Sequence, residues 1–193
     1  MNWLAHLHLS EPSPEFRLGN VLPDLLGVRE LTALPAEFQR GVTCHRRIDA
    51  FTDAHPCFRQ SVARLSPPFR RFGGIIMDVF YDHLLAVNWP GFSPQPLRRC
   101  VDEFYASFAS HRSVLPTAVW PVLERMQEQD WLGSYGELDG VRVALNRIGC
   151  RLRQPRELGA CEPELEQGYD SFSADFFAFY PELISHVANG QGG

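Results

Sequence analysis

The stretch "GGIIMDVFYDHLLAVNW", residues 73–89, restricts the fold more than any other part of the chain. At a helical advance of about 100° per residue, its isoleucines, leucines and valines, with Met77, Phe80 and Tyr81, surround the axis, and a helix apolar all round is a buried one. Other elements must therefore wrap it. Yet Asp78 and Asp82 sit inside it at i and i+4, with His83 adjacent. An ionised carboxylate in such surroundings costs on the order of several kcal/mol unless a cation meets it. No lysine or arginine lies within a turn, so the cation comes from elsewhere, either an arginine on another helix or a metal ion.

The rest of the chain reads as helix after helix. "SPEFRLGNVLPDLLG" is a short amphipathic segment with Pro14 in its first turn, and a helix begins near Pro35 and ends before Pro56. A segment Cys57–Leu65, the long buried helix and three further helices bounded by Pro or Gly follow. Residues 161–190 form the last, with Phe172, Phe176, Phe179 and Leu183 on one stripe. No sustained alternation, Asn-Gly hairpin, internal repeat or long linker occurs. The expectation is an all-α, single-domain helical bundle over residues 1–189, with residues 190–193 a flexible tail.

Composition narrows the function classes. Hydrophobic residues make up 45% and no apolar run approaches the roughly 18 to 20 residues that span a bilayer, so no membrane role is expected. The start, "MNWLAHLHLSEP", lacks the features of a secretion signal, which points to the cytoplasm. Five scattered cysteines without a C-x-x-C pair argue against a disulfide framework and a thiolate zinc site. All 18 basic residues are arginine. Residues 1–112 hold 12 Arg against 11 acidic residues (+1), residues 113–160 hold 6 against 6 (0), and residues 161–193 hold none against 6 (−6). The acidic C-terminus opposes nucleic-acid binding, while the arginine-rich first half suits an anionic partner. Oligomeric state is left open.

A second concentration of chemistry lies in "CHRRIDAFTDAHP", residues 44–56. On a helix His45, Asp49 and Asp53 share a face at i, i+4 and i+8, either as a ligand stripe or as a solvated face of weak pairs. Asp24, flanked by Val21, Leu22, Leu25 and Leu26 and four residues after Asn20, is a third carboxylate. His6 and His8 add imidazoles, each either a ligand or a hydrogen-bonded core residue. Carboxylate and imidazole without thiolate suit Mn, Fe, Zn or Mg, with Mn or Fe the best fit to a nitrogen and oxygen site. Such a centre polarises a phosphoryl oxygen and lowers the pKa of water, which points to phosphate ester hydrolysis. Arg46 and Arg47 beside the stripe, with Arg70 and Arg71 before the buried helix, are candidate clamps for phosphate oxygens.

Four blocks in register, "MNWLAHLHLS", "LGNVLPDLLG", "GVTCHRRIDAFTDAHP" and "RRFGGIIMDVFYDHLLAVNW", resemble the acyl carrier protein phosphodiesterase family, also called acyl carrier protein hydrolase. The similarity is dense through about residue 110 and looser beyond. It implies a cytoplasmic, Mn-dependent bacterial enzyme that removes the 4'-phosphopantetheine arm from holo acyl carrier protein, distantly related to the HD-type metal phosphohydrolases. It also implies an essential carboxylate at Asp24, with His45, Asp49, Asp78, Asp82 and His83 as further site residues. The HD signature places aspartate directly after histidine, whereas this chain carries only the reversed Asp82-His83 pair. The same metal centre would serve an HD-type phosphohydrolase acting on nucleotides or another small phosphoester, and that is the alternative.

Overall fold

A computed structural model of the chain describes residues 1–190, so the expected tail lies outside the described residues except for Gly190, which closes the last helix. Among the described residues there are helices and no strands. In chain order they are α1 (Trp3–His8), α2 (Pro14–Val21), α3 (Val28–Thr32), α4 (Ala36–Ala54), α5 (Pro56–Arg64), α6 (Pro67–Arg70), α7 (Gly73–Val87), α8 (Leu97–Ser110), α9 (Trp120–Glu128), α10 (Leu138–Gly149), α11 (Glu162–Gln167) and α12 (Tyr169–Gly190). Short 3₁₀ turns join several of them, among them Leu22–Asp24 and Gly133–Gly136. None of the helices is long and apolar enough to cross a membrane.

The apolar helix is α7, and it is wrapped as its composition demands. Ile76, Met77, Phe80, Tyr81, Leu84 and Leu85 are all 0% exposed, and α1, α5, α10 and α12 pack around it. Burying a side chain of that size stabilises by about 1.5 to 3 kcal/mol, so α7 anchors the core. The stripe Phe172, Phe176, Phe179 and Leu183 of α12 is buried as its spacing predicts. α12 continues through Pro181, a residue that removes one helical hydrogen bond, because the buried residues on both sides of it outweigh that loss.

Several boundaries differ from the sequence expectation, and the segment that opens at Pro14 is α-helical only to Val21 before the Leu22–Asp24 turn. The segment ending "DWLG" stops at Glu128, where Asp130 takes a left-handed conformation at φ 46°. Residues 151–157 leave the helix, because Gly149 is pressed against the Arg156 carbonyl as the chain turns back. The C-terminal helix divides at Gly168. The expectation also omitted α3 and α1, each about a turn and a half and too short for periodicity to reveal, and of α1 the residues Trp3–Leu7 are all buried.

Candidate metal centre

α7 holds α1 by its N-terminus. Asp82 Oδ2 accepts the backbone N–H of Leu4 at 2.7 Å, and Oδ1 accepts that of Ala5 at 2.9 Å. These are amides that a first helical turn leaves unpaired, so a carboxylate from a neighbouring helix acts as the cap. Burial pushes the Asp82 carboxyl up to about 8, against the lowering effect of the two amides. His83 Nδ1 donates to the Tyr135 carbonyl at 2.8 Å, which leaves Nε2 to accept the Tyr169 hydroxyl at 3.1 Å. Asp82 and His83 thus have partners of their own and are not part of the cluster that His6, His45 and Asp49 form. Asp82 instead positions α1, and with it His6.

A close helix crossing positions the second histidine. A Cβ on Gly41 of α4 would lie 2.2 Å from the Phe16 carbonyl oxygen, and one on Gly19 of α2 would lie 2.2 Å from that of Phe38. Only glycine permits that approach. It sets the Asn20 carbonyl 2.8 Å from His45 Nδ1.

Asn20 then fixes both imidazoles. Its side-chain nitrogen donates to the His6 carbonyl at 2.8 Å and to the Ser10 hydroxyl oxygen at 2.9 Å, so Oδ1 is left as an acceptor for His6 Nδ1 at 3.1 Å. The Asn20 carbonyl can only accept from His45 Nδ1. Both rings thus carry their proton on Nδ1, and each Nε2 presents a lone pair. His6 Nε2 faces Asp49 Oδ1 at 3.2 Å and the Met1 carbonyl at 3.1 Å. His45 Nε2 faces Asp49 Oδ2 at 3.0 Å and Asp24 Oδ1 at 3.7 Å. Lone pairs aimed at acceptor oxygens repel unless a proton or a metal ion stands between them.

The donor set fits a metal ion. Ligand atoms of His6, His45 and Asp49 lie within 4.8 Å of one another. Ligating histidines characteristically donate their other N–H to a fixed acceptor, which is the role Asn20 fills twice. Without an ion, burial lowers the pKa of His6. Burial also works against a charged His45, but its hydrogen bond to Asp49 and the charges of Asp49 and Asp24 prevail and raise its pKa. For Asp49 burial is outweighed by the bonds from His45 and His6, which hold its carboxyl well below the usual carboxylate range.

The remaining candidates surround this cluster. Asp24 ends the Leu22–Asp24 turn with its side chain 39% exposed, at the edge of the centre. Asp78 Oδ1 lies 2.9 Å from the Met1 amino group, which is also 3.2 Å from Asp49 Oδ1. Desolvation opposes a buried ammonium, yet these two carboxylates raise its pKa to about 11. Burial lifts the Asp78 carboxyl to about 6, against the pull of that ammonium. The cation that meets Asp78 is thus the Met1 ammonium and not an arginine. Asp53 points to solvent a turn further along α4, and His8 is taken by the Tyr180 hydroxyl and the Phe92 carbonyl.

The expected arginine clamps are placed elsewhere. Arg46 is exposed, and Arg47 donates to the His186 carbonyl at 2.8 Å, tying α4 to α12. Arg70 donates to the Leu65 carbonyl, and Arg71 covers the Phe72 ring. A cleft of about 260 Å³ opens beside the cluster, bordered by Met1, Asp24 and Asp78, and the arginine in its lining is Arg151. Neither Arg151 nor the double role of Asn20 follows from the spacing of residues. The only trace of Asn20 in the sequence is a polar residue inside the apolar "LGNVL".

Comparison with known proteins gives this geometry a context. A family model described as acyl carrier protein phosphodiesterase matches residues 1–183. Curated relatives called acyl carrier protein phosphodiesterase include one from Enterobacter sp. (strain 638), 31% identical over 192 residues that cover 99% of this chain and 100% of the relative. Another, from Salmonella agona (strain SL483), is 32% identical over 189 residues, covering 97% of this chain and 98% of the relative. No solved structure matches. With a match of that extent and relatives similar from end to end, the chain belongs to the acyl carrier protein phosphodiesterase family.

Proposed function

We propose that this chain is a metal-dependent phosphodiesterase that hydrolyses 4'-phosphopantetheine from holo acyl carrier protein in the cytoplasm, leaving the apo form. The observation that carries the reading is the pair of imidazoles pinned by Asn20, whose Nε2 lone pairs converge on Asp49. His6, His45 and Asp49 would hold the ion, with Asp24 the nearest further carboxylate. The donor set favours Mn²⁺ or Fe²⁺, with Zn²⁺ and Mg²⁺ as the other divalent ions to test. When bound, the ion supplies Lewis acidity at a phosphoryl oxygen and lowers the pKa of water.

The chain's own groups do the rest. Asp24, at the boundary between cluster and cleft, would take the proton from the attacking water. Water adds across the bond between phosphorus and the carrier's serine oxygen, which leaves with a proton. Exposed arginines such as Arg46 and Arg71 suit an acidic carrier, so docking weakens as salt rises.

Purified protein incubated with holo acyl carrier protein and Mn²⁺ tests the reading by mass spectrometry. Loss of the phosphopantetheine mass is expected, and it disappears with a chelator. Intact carrier in the presence of bound metal overturns the assignment, and turnover of nucleotides in its place would favour a small-molecule phosphohydrolase.

A further inference from the structure

The cleft beside the cluster has two unlike sides. Asp24 and Asp78 border one, while Trp3, Ile75, Val79 and Ile148 supply apolar walls. On the α10 side Arg151 lines it just beyond the helix end, exposed and engaged in no ion pair or side-chain hydrogen bond among the described residues. Many of the chain's other arginines, such as Arg40, Arg64 and Arg98, are matched with carboxylates. A cation left unmatched at a cleft bordered by a candidate metal centre is placed to meet an anion from outside.

A second, independent feature points the same way. Arg147 lies one turn earlier on α10, its guanidinium 3.6 Å over the Trp131 ring, with Nε and Nη2 buried and without partners. Trp131 stacks on Trp3 at 5.6 Å and 8°, and the Trp3 indole N–H is itself buried and unpartnered. Buried donors left unpaired are costly and rare, and they are commonly retained where a ligand or ordered water meets them. Burial and then the nearby Arg151 charge lower the pKa of Arg147 against the raising effect of Tyr135, so an anion bound at Arg151 eases the repulsion that Arg147 feels.

We propose that Arg151 is the phosphate-binding residue of this cleft, its guanidinium fork holding the non-bridging oxygens of a phosphodiester whose uncharged arm lies along Trp3, Ile75, Val79 and Ile148. At about 260 Å³ the cleft has room for a phosphate and the first atoms of an arm. A planar fork suits two phosphate oxygens as an ammonium does not. The proposal rests on the phosphodiesterase reading above, and it adds the residue that recognises the reacting group.

The test compares wild type, Arg151→Ala and Arg151→Lys as Mn²⁺-loaded full chains. With holo acyl carrier protein, Arg151→Ala raises KM about tenfold or more and leaves Mn²⁺ affinity unchanged, while Arg151→Lys recovers only part of the loss. Inorganic phosphate, titrated calorimetrically into the same proteins, binds Arg151→Ala about tenfold more weakly than wild type. Unchanged KM together with unchanged phosphate affinity overturns the proposal. Should wild type fail to process the carrier, the phosphodiesterase reading falls. The phosphate titration then decides on Arg151 by itself, because equal binding by wild type and Arg151→Ala refutes the site. A raised KM with unaltered phosphate affinity also overturns it, since that pattern means contact with the carrier's surface alone.

Discussion

The imidazoles of His6 and His45 lie nearly parallel, with centroids 4.1 Å apart and planes at 17°. Two protonated rings at that distance repel, and protons on both Nε2 atoms would make them so. A divalent ion held by the two Nε2 atoms and Asp49 would remove that repulsion.

Metal binding therefore competes with protons. Asp49 and Asp24 raise the pKa of His45, so its Nε2 holds a proton up to a higher pH than free histidine does. Mn²⁺ affinity should fall steadily as pH drops from 8 to 6, with protons released on binding. Calorimetric titrations in buffers of different ionisation heat measure both. An affinity independent of pH would place the ion away from His45.

Asn20 would carry the geometry of the centre without itself being a ligand. In Asn20→Ala the acceptor for His6 Nδ1 is lost while the backbone acceptor for His45 remains. We expect Mn²⁺ affinity to fall about 10 to 100-fold, the usual effect of removing such a partner. Electron paramagnetic resonance of free Mn²⁺ gives the value, and undiminished affinity would remove His6 from the ligand set.

Much of the architecture was legible from residues 73–89, because a helix apolar on every side leaves few options but to be surrounded. His45 and Asp49 were legible for a similar reason, since i, i+4 spacing sets two side chains on one face whatever the tertiary structure. What the spacing could not convey was which cation meets each buried aspartate. Asp82 is satisfied by amides from residues 78 and 77 positions away in sequence. Contacts of that range leave no periodic trace, and the same holds for Asn20 and His45 and for Arg151 at the cleft.

Asp82→Asn separates a cap from a ligand. An amide in that position presents an NH₂ to one of the two backbone N–H donors of Leu4 and Ala5, which above about pH 8, where the carboxyl is ionised, costs about 1 to 2 kcal/mol and a lower melting temperature. One ion per chain should still bind, more weakly as α1 loosens. Complete loss of metal with an unchanged melting temperature would make Asp82 a ligand after all.

Asp49 gives the acid limb. Because its folded pKa is depressed, its stabilising effect is complete above the unfolded value near 4 and is lost as pH falls below that toward the folded value. Metal-free Asp49→Asn should therefore lose stability less steeply than wild type below about pH 4, while at neutral pH it binds Mn²⁺ at least tenfold more weakly. Denaturant unfolding at a series of pH values checks the first effect, and parallel acid limbs would contradict it.

Gly41 links packing to the centre. An added methyl would stand 2.2 Å from the Phe16 carbonyl oxygen and 2.7 Å from the Asn20 amide nitrogen, both backbone atoms that cannot rotate away. Gly41→Ala must therefore part α2 from α4, at about 2 kcal/mol or more, and carry the Asn20 carbonyl away from His45. Gly74→Ala is the control, because nothing lies within 4 Å of its Cβ and alanine favours a helix by about 1 kcal/mol over glycine. The first variant should melt lower and lose Mn²⁺ affinity together, whereas the second keeps its affinity and melts no lower than wild type. If Gly41→Ala kept wild-type metal affinity, the approach of these two helices would not be what holds His45 in its tautomer.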